Sequence, residues 1–319
     1  MISSNDSTRD SKSAKPCILV IFGASGDLTH RKLVPALYNL SREGLLPAHF
    51  ACVGFARREK SNDQFRKEME EAVNTYSRVK PVDQDIWQSF SEQLFYHRSE
   101  FDNDEGYKSL KTLLDDLEKK FETGGNLIFY LSVPPSYFPM IVEKLNRNGL
   151  IHPKEGSKFS RVIIEKPFGI DLESAIDLQK QLTKNLHESQ IYRIDHYLGK
   201  ETVQNLLVFR FTNPLFETLW NNHYIDNVQI TVSEDMGIGT RGKFFEEAGI
   251  LRDIVQNHMM QLLSLVAMEP PVSLEADSIR DEKVKVLQAI RPLNPNDVVR
   301  GQYGPGLVNG EEVIGYREE

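Results

Sequence analysis

The fold of this chain is decided by residues 17–28, which read CILVIFGASGDL. Its first six residues form a continuous apolar run with β-branched members, which is typical of a buried parallel strand. Gly23 and Gly26 then predict a tight turn, and leucines at helical spacing predict a helix over Lys32–Arg42. A second strand is predicted at Phe50–Phe55, so the chain opens with a βαβ unit that needs a right-handed crossover.

The alternation of strands and helices continues through the first half of the chain. Two further strands are predicted, at Asn126–Val133 and Arg161–Glu165. The predicted helices are Ser61–Tyr76, Gly106–Phe121, Tyr137–Asn148 and Asp171–Ser189. Alternating β and α elements are typical of the α/β class, and here they predict a Rossmann-like, doubly wound parallel sheet.

The pattern changes near residues 190–200. The second half has a predicted helix at Lys200–Phe209, an alternating antiparallel strand at Asp226–Glu234 and a long helix at Gly249–Met268. From Ser273 onward we expect little regular structure. The sequence therefore predicts three parts: a flexible tail over 1–15, a Rossmann-like cofactor-binding domain over 16–195, and an incomplete α+β domain with an antiparallel sheet over 196–319.

Composition excludes several classes of function. The 319 residues carry a net charge of −8, and no long basic stripe is present, which argues against nucleic-acid binding. No apolar run is long enough to span a membrane, and the polar N-terminus lacks the apolar core of a signal peptide. We therefore expect a cytoplasmic protein with no membrane partner. Cys17 and Cys52 lie in strand-like runs and predict buried free thiols, and no metal-ligand pattern is present.

The glycine turn is a candidate phosphate-binding loop. Between a strand and a helix, its backbone can approach a pyrophosphate, and the helix N-terminus supplies N–H donors. Gly23 and Gly26 depart from the usual G-x-G-x-x-G spacing, so the turn alone is weak evidence. The second strand runs into Arg57 and Arg58 rather than an acidic residue, which favours the 2′-phosphate of NADP over NAD. The alternative is that both arginines are solvated surface residues.

Two more clusters suggest a binding site. Lys166, in EKPFG at 165–169, follows a predicted strand, and ligands of open α/β sheets bind at the carboxyl ends of strands. The segment RIDHYLGKE at 193–201 groups His196, Tyr197 and Lys200 before a predicted helix, an arrangement suited to an anion such as a sugar phosphate. The alternatives are a surface lysine and a loop with a structural ion pair.

A third cluster contains a candidate base. His258 lies on the apolar face of its predicted helix, where it is either a core histidine or a general base. Asp253 precedes it by five residues, so the two side chains are expected on different faces of an α-helix. We therefore expect Asp195 to be the carboxylate that orients His258.

These motifs identify a resemblance. GASGDL at 23–28, EKPFG at 165–169, RIDHYLGKE at 193–201 and RDIVQNH at 252–258 resemble the glucose-6-phosphate dehydrogenase family, in order, from about Lys15 to the end of the chain. The resemblance implies oxidation of glucose 6-phosphate at C1 to 6-phosphogluconolactone with NADP as acceptor. This reaction is the first step of the oxidative pentose phosphate pathway. It also implies a homodimer or homotetramer in the intact protein. The family's second domain would continue beyond Glu319, and Phe138 stands where the family has a cofactor-contacting tyrosine.

The resemblance also implies roles for individual residues. The cofactor phosphates would be held by Gly23, Ala24, Ser25, Gly26, Asp27, Leu28, Thr29 and His30, and the 2′-phosphate by Arg57. Lys166 would lie between nicotinamide and sugar. The substrate phosphate would be bound by His196, Tyr197 and Lys200, and sugar hydroxyls by Glu234 and Asp253. His258 would remove the C1-hydroxyl proton, with Asp195 stabilising the imidazolium.

Two alternatives remain at this stage. The first is a sugar oxidoreductase of the glucose–fructose oxidoreductase and inositol dehydrogenase type, which also carries Glu-Lys-Pro after a strand and would not require a substrate phosphate. The second is a truncated NADP-binding module that binds the cofactor without turnover.

Overall fold

The structure is a computed structural model that describes residues 14–234 and 237–319. Most of the predicted tail, residues 1–13, lies outside the described residues. The chain divides into two compact units, one ending at Ile194 and the other beginning at Asp195. Among the helices of the described residues, none has the length and apolar character needed to cross a membrane.

Unit 1 is built on a parallel sheet of six strands in the order β3-β2-β1-β4-β5-β6. The strands are β1 Cys17–Phe22, β2 Phe50–Ala56, β3 Leu94–Arg98, β4 Leu127–Leu131, β5 Ser160–Ile164 and β6 Ile191–Arg193. In register, Val20 of β1 lies between Val53 of β2 and Phe129 of β4. This strand order is that of the Rossmann fold, so the predicted fold class is confirmed.

Helices connect successive strands of this sheet. A π-helical turn, Thr29–Leu33, leads into α1, and the helices are α1 Val34–Arg42, α2 Asn62–Tyr76, α3 Gln84–Ser91, α4 Asp104–Phe121, α5 Phe138–Arg147 and α6 Leu172–Thr183. Ser61 begins α2 with a reciprocal capping pair, in which its side chain accepts from the amide of Gln64.

The sheet is buried on both faces. Every residue of β1 and β2 is buried, as expected where helices cover both sides of a parallel sheet. One core cluster packs α4, α5 and α6 against the sheet, and the other packs α1, α2 and α3 against the opposite face. Cys17 and Cys52 belong to the second cluster as free, buried cysteines, as predicted. Burial raises the pKa of the Cys17 thiol to about 11 and that of Cys52 to about 12.

Three short elements of unit 1 were not predicted from the sequence. They are α3, β3 and β6, which have eight, five and three residues. α3 and β6 contain too few residues to establish a hydrophobic period, and the apolar run of β3 ends after three residues, at His97. The predicted helix Asp171–Ser189 is also shorter than expected, because α6 ends at Thr183.

Unit 2 is mainly helical. Its elements are a 3-10 turn His196–Gly199, α7 Glu201–Phe211, α8 Pro214–Glu217, α9 Gly242–Ile250, a π-helix Leu251–Met259, α10 Met260–Ala267, α11 Ala276–Ala289, and the strands β7 Gly306–Val308 and β8 Glu311–Val313. The two strands form an antiparallel pair. Three buried apolar residues, Val203, Leu265 and Met268, form the centre of its core.

Two predictions for unit 2 were wrong. Residues 226–234 do not form a strand, although their side chains alternate in polarity. A strand requires a neighbour for its backbone hydrogen bonds, and the described residues place no strand beside this segment. The expectation of little regular structure after Ser273 was also wrong, because this region contains α11 and the β7–β8 pair.

Candidate active site and cofactor-binding turn

The centre of the candidate active site in unit 2 is a pair formed by Asp195 and His258. The Nδ1 atom of His258 donates to Oδ1 of Asp195 over 2.6 Å. A carboxylate only accepts, so this contact places the ring proton on Nδ1 and leaves proton exchange with a ligand to Nε2. The same Oδ1 accepts the backbone amide of Tyr197 at 3.0 Å, which fixes the carboxylate at the start of the 3-10 turn. The expected partner of His258 is therefore the observed one.

Asp253 lies on the same helix as His258, and the structure corrects the predicted relation between them. Residues 251–259 form a π-helix, not an α-helix. Because a π-helix is closed by i→i+5 hydrogen bonds, residues five apart lie closer to one face than they would in an α-helix. Both side chains are accordingly buried, with Asp253 at 6% and His258 at 0% exposure. The prediction assumed the α-helical period, which these residues do not have.

The three residues expected to bind a phosphate lie at the beginning of α7. His196 and Tyr197 belong to the 3-10 turn, and Lys200 precedes the first residue of α7. His196 and Lys200 are exposed, whereas Tyr197 is buried. This places one side-chain cation beside the positive end of a helix, where an anion is favoured.

Glu234, the other residue expected to contact the sugar, is exposed in the segment that forms no strand. The structure therefore supports its side chain less firmly than that of buried Asp253.

Two residues of the site environment were missed by the sequence analysis. Lys283 on α11 donates to Gln261 of α10 over 3.0 Å, and Gln261 lies three residues after His258. Burial lowers the pKa of the Lys283 ammonium, and the nearby Asp195 carboxylate opposes that shift. Nothing in the local sequence distinguishes Lys283 from its neighbour Lys285, so only the packing of α11 on α10 identifies it.

The glycine turn of unit 1 is closely packed against the end of β4. Gly23 has φ +84°, and a Cβ atom there would lie 2.1 Å from the carbonyl oxygen of Ser132. The amides of Gly23 and Ala24 donate to the carbonyl of Phe55, and the amide of Gly26 donates to the carbonyl of Gly23. The turn is thus hydrogen-bonded to the end of β2 and packed against the residue that follows β4. Its tied amides are unavailable to a ligand, so phosphate donors are expected further along, where the helix begins.

The side chains that follow the turn brace it. Thr29 is fully buried and its hydroxyl donates to the carbonyl of Gly23 at 3.3 Å. His30 bonds through Nδ1 to the carbonyl of Gly26 at 2.8 Å. Asp27 would repel a phosphate, but it forms an ion pair of 2.9 Å with Arg31. The hydrogen bonds of Thr29 and His30 hold the turn in shape, and Arg31 offsets the negative charge of Asp27.

The remaining unit 1 residues lie at the carboxyl ends of strands, as predicted. Arg57 is exposed directly after β2. Lys166 is half-buried two residues after β5, and Glu165 beside it accepts a short hydrogen bond from the Tyr130 hydroxyl. Phe138 is fully buried, so its side chain belongs to the core.

The position of the turn agrees with the general rule for ligand sites in open sheets. The chain runs from β1 through α1 to β2 on one side, whereas β4 lies on the other side of β1. Ligands bind at such a switch point, outside the carboxyl ends of the strands.

Comparisons with known proteins match both parts of the chain to one family. A family model described as glucose-6-phosphate dehydrogenase, NAD binding domain, matches residues 20–205, and one described as its C-terminal domain matches residues 207–319. The glycine turn therefore lies in a domain that binds a nicotinamide dinucleotide.

Among curated proteins, glucose-6-phosphate 1-dehydrogenase of Chlamydia pneumoniae is 59% identical over 97% of this chain and 60% of its own length. Glucose-6-phosphate 1-dehydrogenase 2 of Mycobacterium tuberculosis is 46% identical over 96% of this chain. The chain thus spans about 60% of the length of these relatives.

The fold also matches a solved structure. A glucose-6-phosphate dehydrogenase in complex with its substrate glucose-6-phosphate superposes with a TM-score of 0.87 and 39% identity, over 96% of this chain and 62% of that one. A family model that covers more than half of the chain and this structural agreement lead to one conclusion. The chain belongs to the glucose-6-phosphate dehydrogenase family.

Proposed function

We propose that this chain carries the cofactor-binding and base-bearing part of an NADP-dependent glucose-6-phosphate dehydrogenase. The observation that carries this proposal is the 2.6 Å contact between Nδ1 of His258 and Asp195, two residues that lie in separate family motifs. A half-buried carboxylate that fixes the tautomer of a buried histidine is the arrangement of a general base.

The proposed role of His258 is to accept the proton of the C1 hydroxyl at Nε2 as C1 loses a hydride. Asp195 then faces an imidazolium and stabilises its charge. The nicotinamide ring, when bound, supplies the electron-pair acceptor for that hydride. The product of this two-electron oxidation at C1 is the 6-phosphogluconolactone, and the proton leaves through the base.

Unit 1 fits a dinucleotide. The turn approaches the carbonyl of Ser132, the residue after β4, so closely that only glycine fits at position 23, and the helix N-terminus follows at once. Arg57 after β2 is the proposed partner of the 2′-phosphate, since a guanidinium can bind a phosphate through two hydrogen bonds. Lys166 is proposed to bind at the junction of cofactor and sugar.

Unit 2 is proposed to bind the sugar phosphate. His196, Tyr197 and Lys200 would hold the phosphate, and Asp253 and Glu234 would bind sugar hydroxyls. We further propose domain limits of 16–195 and 196–319, a cytoplasmic location, and a homodimer or homotetramer for the intact protein.

The test is absorbance at the reduced-nicotinamide band. The purified chain is mixed with NADP or NAD and with glucose 6-phosphate, and unphosphorylated glucose is the substrate control. We expect NADP reduction that needs the phosphate and falls about 100-fold or more in His258→Gln, because the loss of a general base has effects of this size. His223→Gln, at an exposed histidine of the same unit, is the matched control and should retain the rate.

Reduction that is as fast in His258→Gln as in the wild type would contradict the assigned base. Binding of NADP without any reduction would favour the module without turnover. Equal rates with glucose and with glucose 6-phosphate would favour the other sugar oxidoreductases.

A further inference from the structure

The side chain of His258 is completely enclosed in this structure, with 0% exposure. Three consecutive residues contribute to the enclosure in three different ways. Asp195 bonds to Nδ1 at 2.6 Å, and the ring of His196 meets the imidazole edge to face with centroids 4.5 Å apart. The ring of Tyr197 is stacked on the imidazole with centroids 4.0 Å apart and an angle of 14° between planes.

The other face of the Tyr197 ring is also occupied. The ammonium of Lys200 lies 3.5 Å from the ring centroid, a close cation–π contact. The aromatic ring is therefore held between a cation on one face and the imidazole on the other. Tyr197 is itself only 7% exposed, so the ring has little freedom to move.

One hydrogen bond does not fix an imidazole completely. The bond to Asp195 fixes the position of Nδ1, but the torsion that turns a histidine ring has broad, shallow wells. A ring packed parallel to the imidazole restricts that torsion, since rotation would drive the imidazole edge into the aromatic face. The carboxylate at Nδ1 and the stacked ring of Tyr197 thereby both restrict the direction of Nε2.

We propose that the ring of Tyr197 is a positioning residue for the base, separate from the role of its hydroxyl. The proposal rests on the proposed function, in which the Tyr197 hydroxyl contributes to phosphate binding and His258 takes the proton. The ring keeps Nε2 aimed at the reacting hydroxyl, and Lys200 holds the ring from its other face. Because the ring acts through His258, we expect its loss to change kcat and not KM for glucose 6-phosphate.

The experiment separates the ring from the hydroxyl by comparing Tyr197→Phe with Tyr197→Leu. The Phe variant keeps the stacked ring, so we expect KM for glucose 6-phosphate to rise severalfold and kcat to fall less than about threefold. The Leu variant loses the ring, so we expect kcat to fall at least about tenfold, because small misplacements of catalytic groups have effects of this order. Tyr192→Leu, at an exposed tyrosine of β6, controls for the loss of a tyrosine elsewhere.

A second readout does not depend on turnover. In chain labelled at histidine, the His258 ring resonances are identified by their loss in His258→Gln. We expect the ring-current shift of these resonances to persist in Tyr197→Phe and to disappear in Tyr197→Leu. Circular dichroism of each variant shows whether it has folded, and an unfolded Leu variant is replaced by Tyr197→Met.

The outcomes distinguish this inference from the proposed function. Equal losses of kcat in the Phe and Leu variants would overturn it, as would a Leu variant that changes KM alone. An unshifted His258 resonance in the folded wild type would overturn it as well. If the wild type reduces no NADP but the resonances behave as expected, the stacked geometry stands and the proposed function fails.

Discussion

The two oxygens of the Asp195 carboxylate differ in their hydrogen bonding. Oδ1 accepts two hydrogen bonds, whereas Oδ2 is buried and accepts none from the described residues. A buried carboxylate oxygen is costly unless charge nearby compensates it. Lys283 is close enough to act on Asp195 electrostatically. At the level of single residues, a lysine of α11 therefore lies within electrostatic range of this pair.

His97 allows a prediction about pH. Burial lowers the pKa of His97 below its usual value of 6.5, although the hydrogen bond of Nε2 to the Gly106 carbonyl opposes the shift. When the folded pKa is depressed, the unfolded chain binds the proton first as the pH falls below about 6.5. Unfolding is then favoured, so stability is full above that pH and decreases below it.

We expect His97→Gln to lose less stability than the wild type between pH 7 and pH 5.5, because it removes this proton uptake. Urea unfolding at the two pH values measures the difference. His223→Gln, at an exposed site, should follow the wild type. An identical pH dependence in His97→Gln and the wild type would contradict the prediction.

The sequence predicted the chemistry of these residues better than their geometry. Asp195 was expected as the partner of His258 because the helical spacing argued against Asp253, and the 2.6 Å contact confirms that pairing. The relation of Asp253 to His258 was predicted from the α-helical period, and the π-helix that these residues form has no distinct sequence pattern. Lys283 was missed because its role comes from packing between α10 and α11.

At the scale of elements, the turn after β1 depends on two separate properties of Gly23. Its φ of +84° disfavours other residues, and its Cβ position lies 2.1 Å from the Ser132 carbonyl oxygen. Gly44, after α1, has φ +66° with nothing within 4 Å of a Cβ atom. A side chain at Gly44 would therefore meet backbone strain alone, whereas a side chain at Gly23 would meet both backbone strain and a steric clash.

We expect Gly44→Ala to lower the free energy of unfolding by about 1 kcal/mol, the usual cost of placing a side chain at positive φ. Gly23→Ala should cost at least about 3 kcal/mol, because β4 must also shift. Chemical unfolding followed by circular dichroism measures both. Similar losses in the two variants would show that the close approach to Ser132 relaxes easily.

Elements were predictable where they were long or strongly patterned. The bounds of β1 were predicted correctly, because six apolar residues end at a glycine. The segment 226–234 has the alternation of a strand but forms none, because pairing depends on a neighbour that local sequence does not specify. The β7–β8 pair was not expected either, because each of its strands has only three residues and its partner is not specified by the local sequence.

At the scale of the whole molecule, the two units differ greatly in their cores. Unit 1 buries two large apolar clusters, one on each face of its sheet. Unit 2 has one small cluster, centred on Val203, Leu265 and Met268, with half-buried residues around it. Because burial of apolar surface is the dominant stabilising contribution, unit 2 should be the less stable of the two.

The two tryptophans of the chain can test this difference, since one lies in each unit. Trp87 is buried in α3, and the indole of Trp220 donates to the carbonyl of Val266 at 2.7 Å. In Trp87→Phe the fluorescence reports unit 2, and in Trp220→Phe it reports unit 1, so each substitution leaves the reported unit unchanged. We expect the Trp220 signal to change at a lower urea concentration than the Trp87 signal. Two coincident transitions would instead mean that the small core of unit 2 does not unfold before the sheet, and that its stability cannot be deduced from its own buried surface.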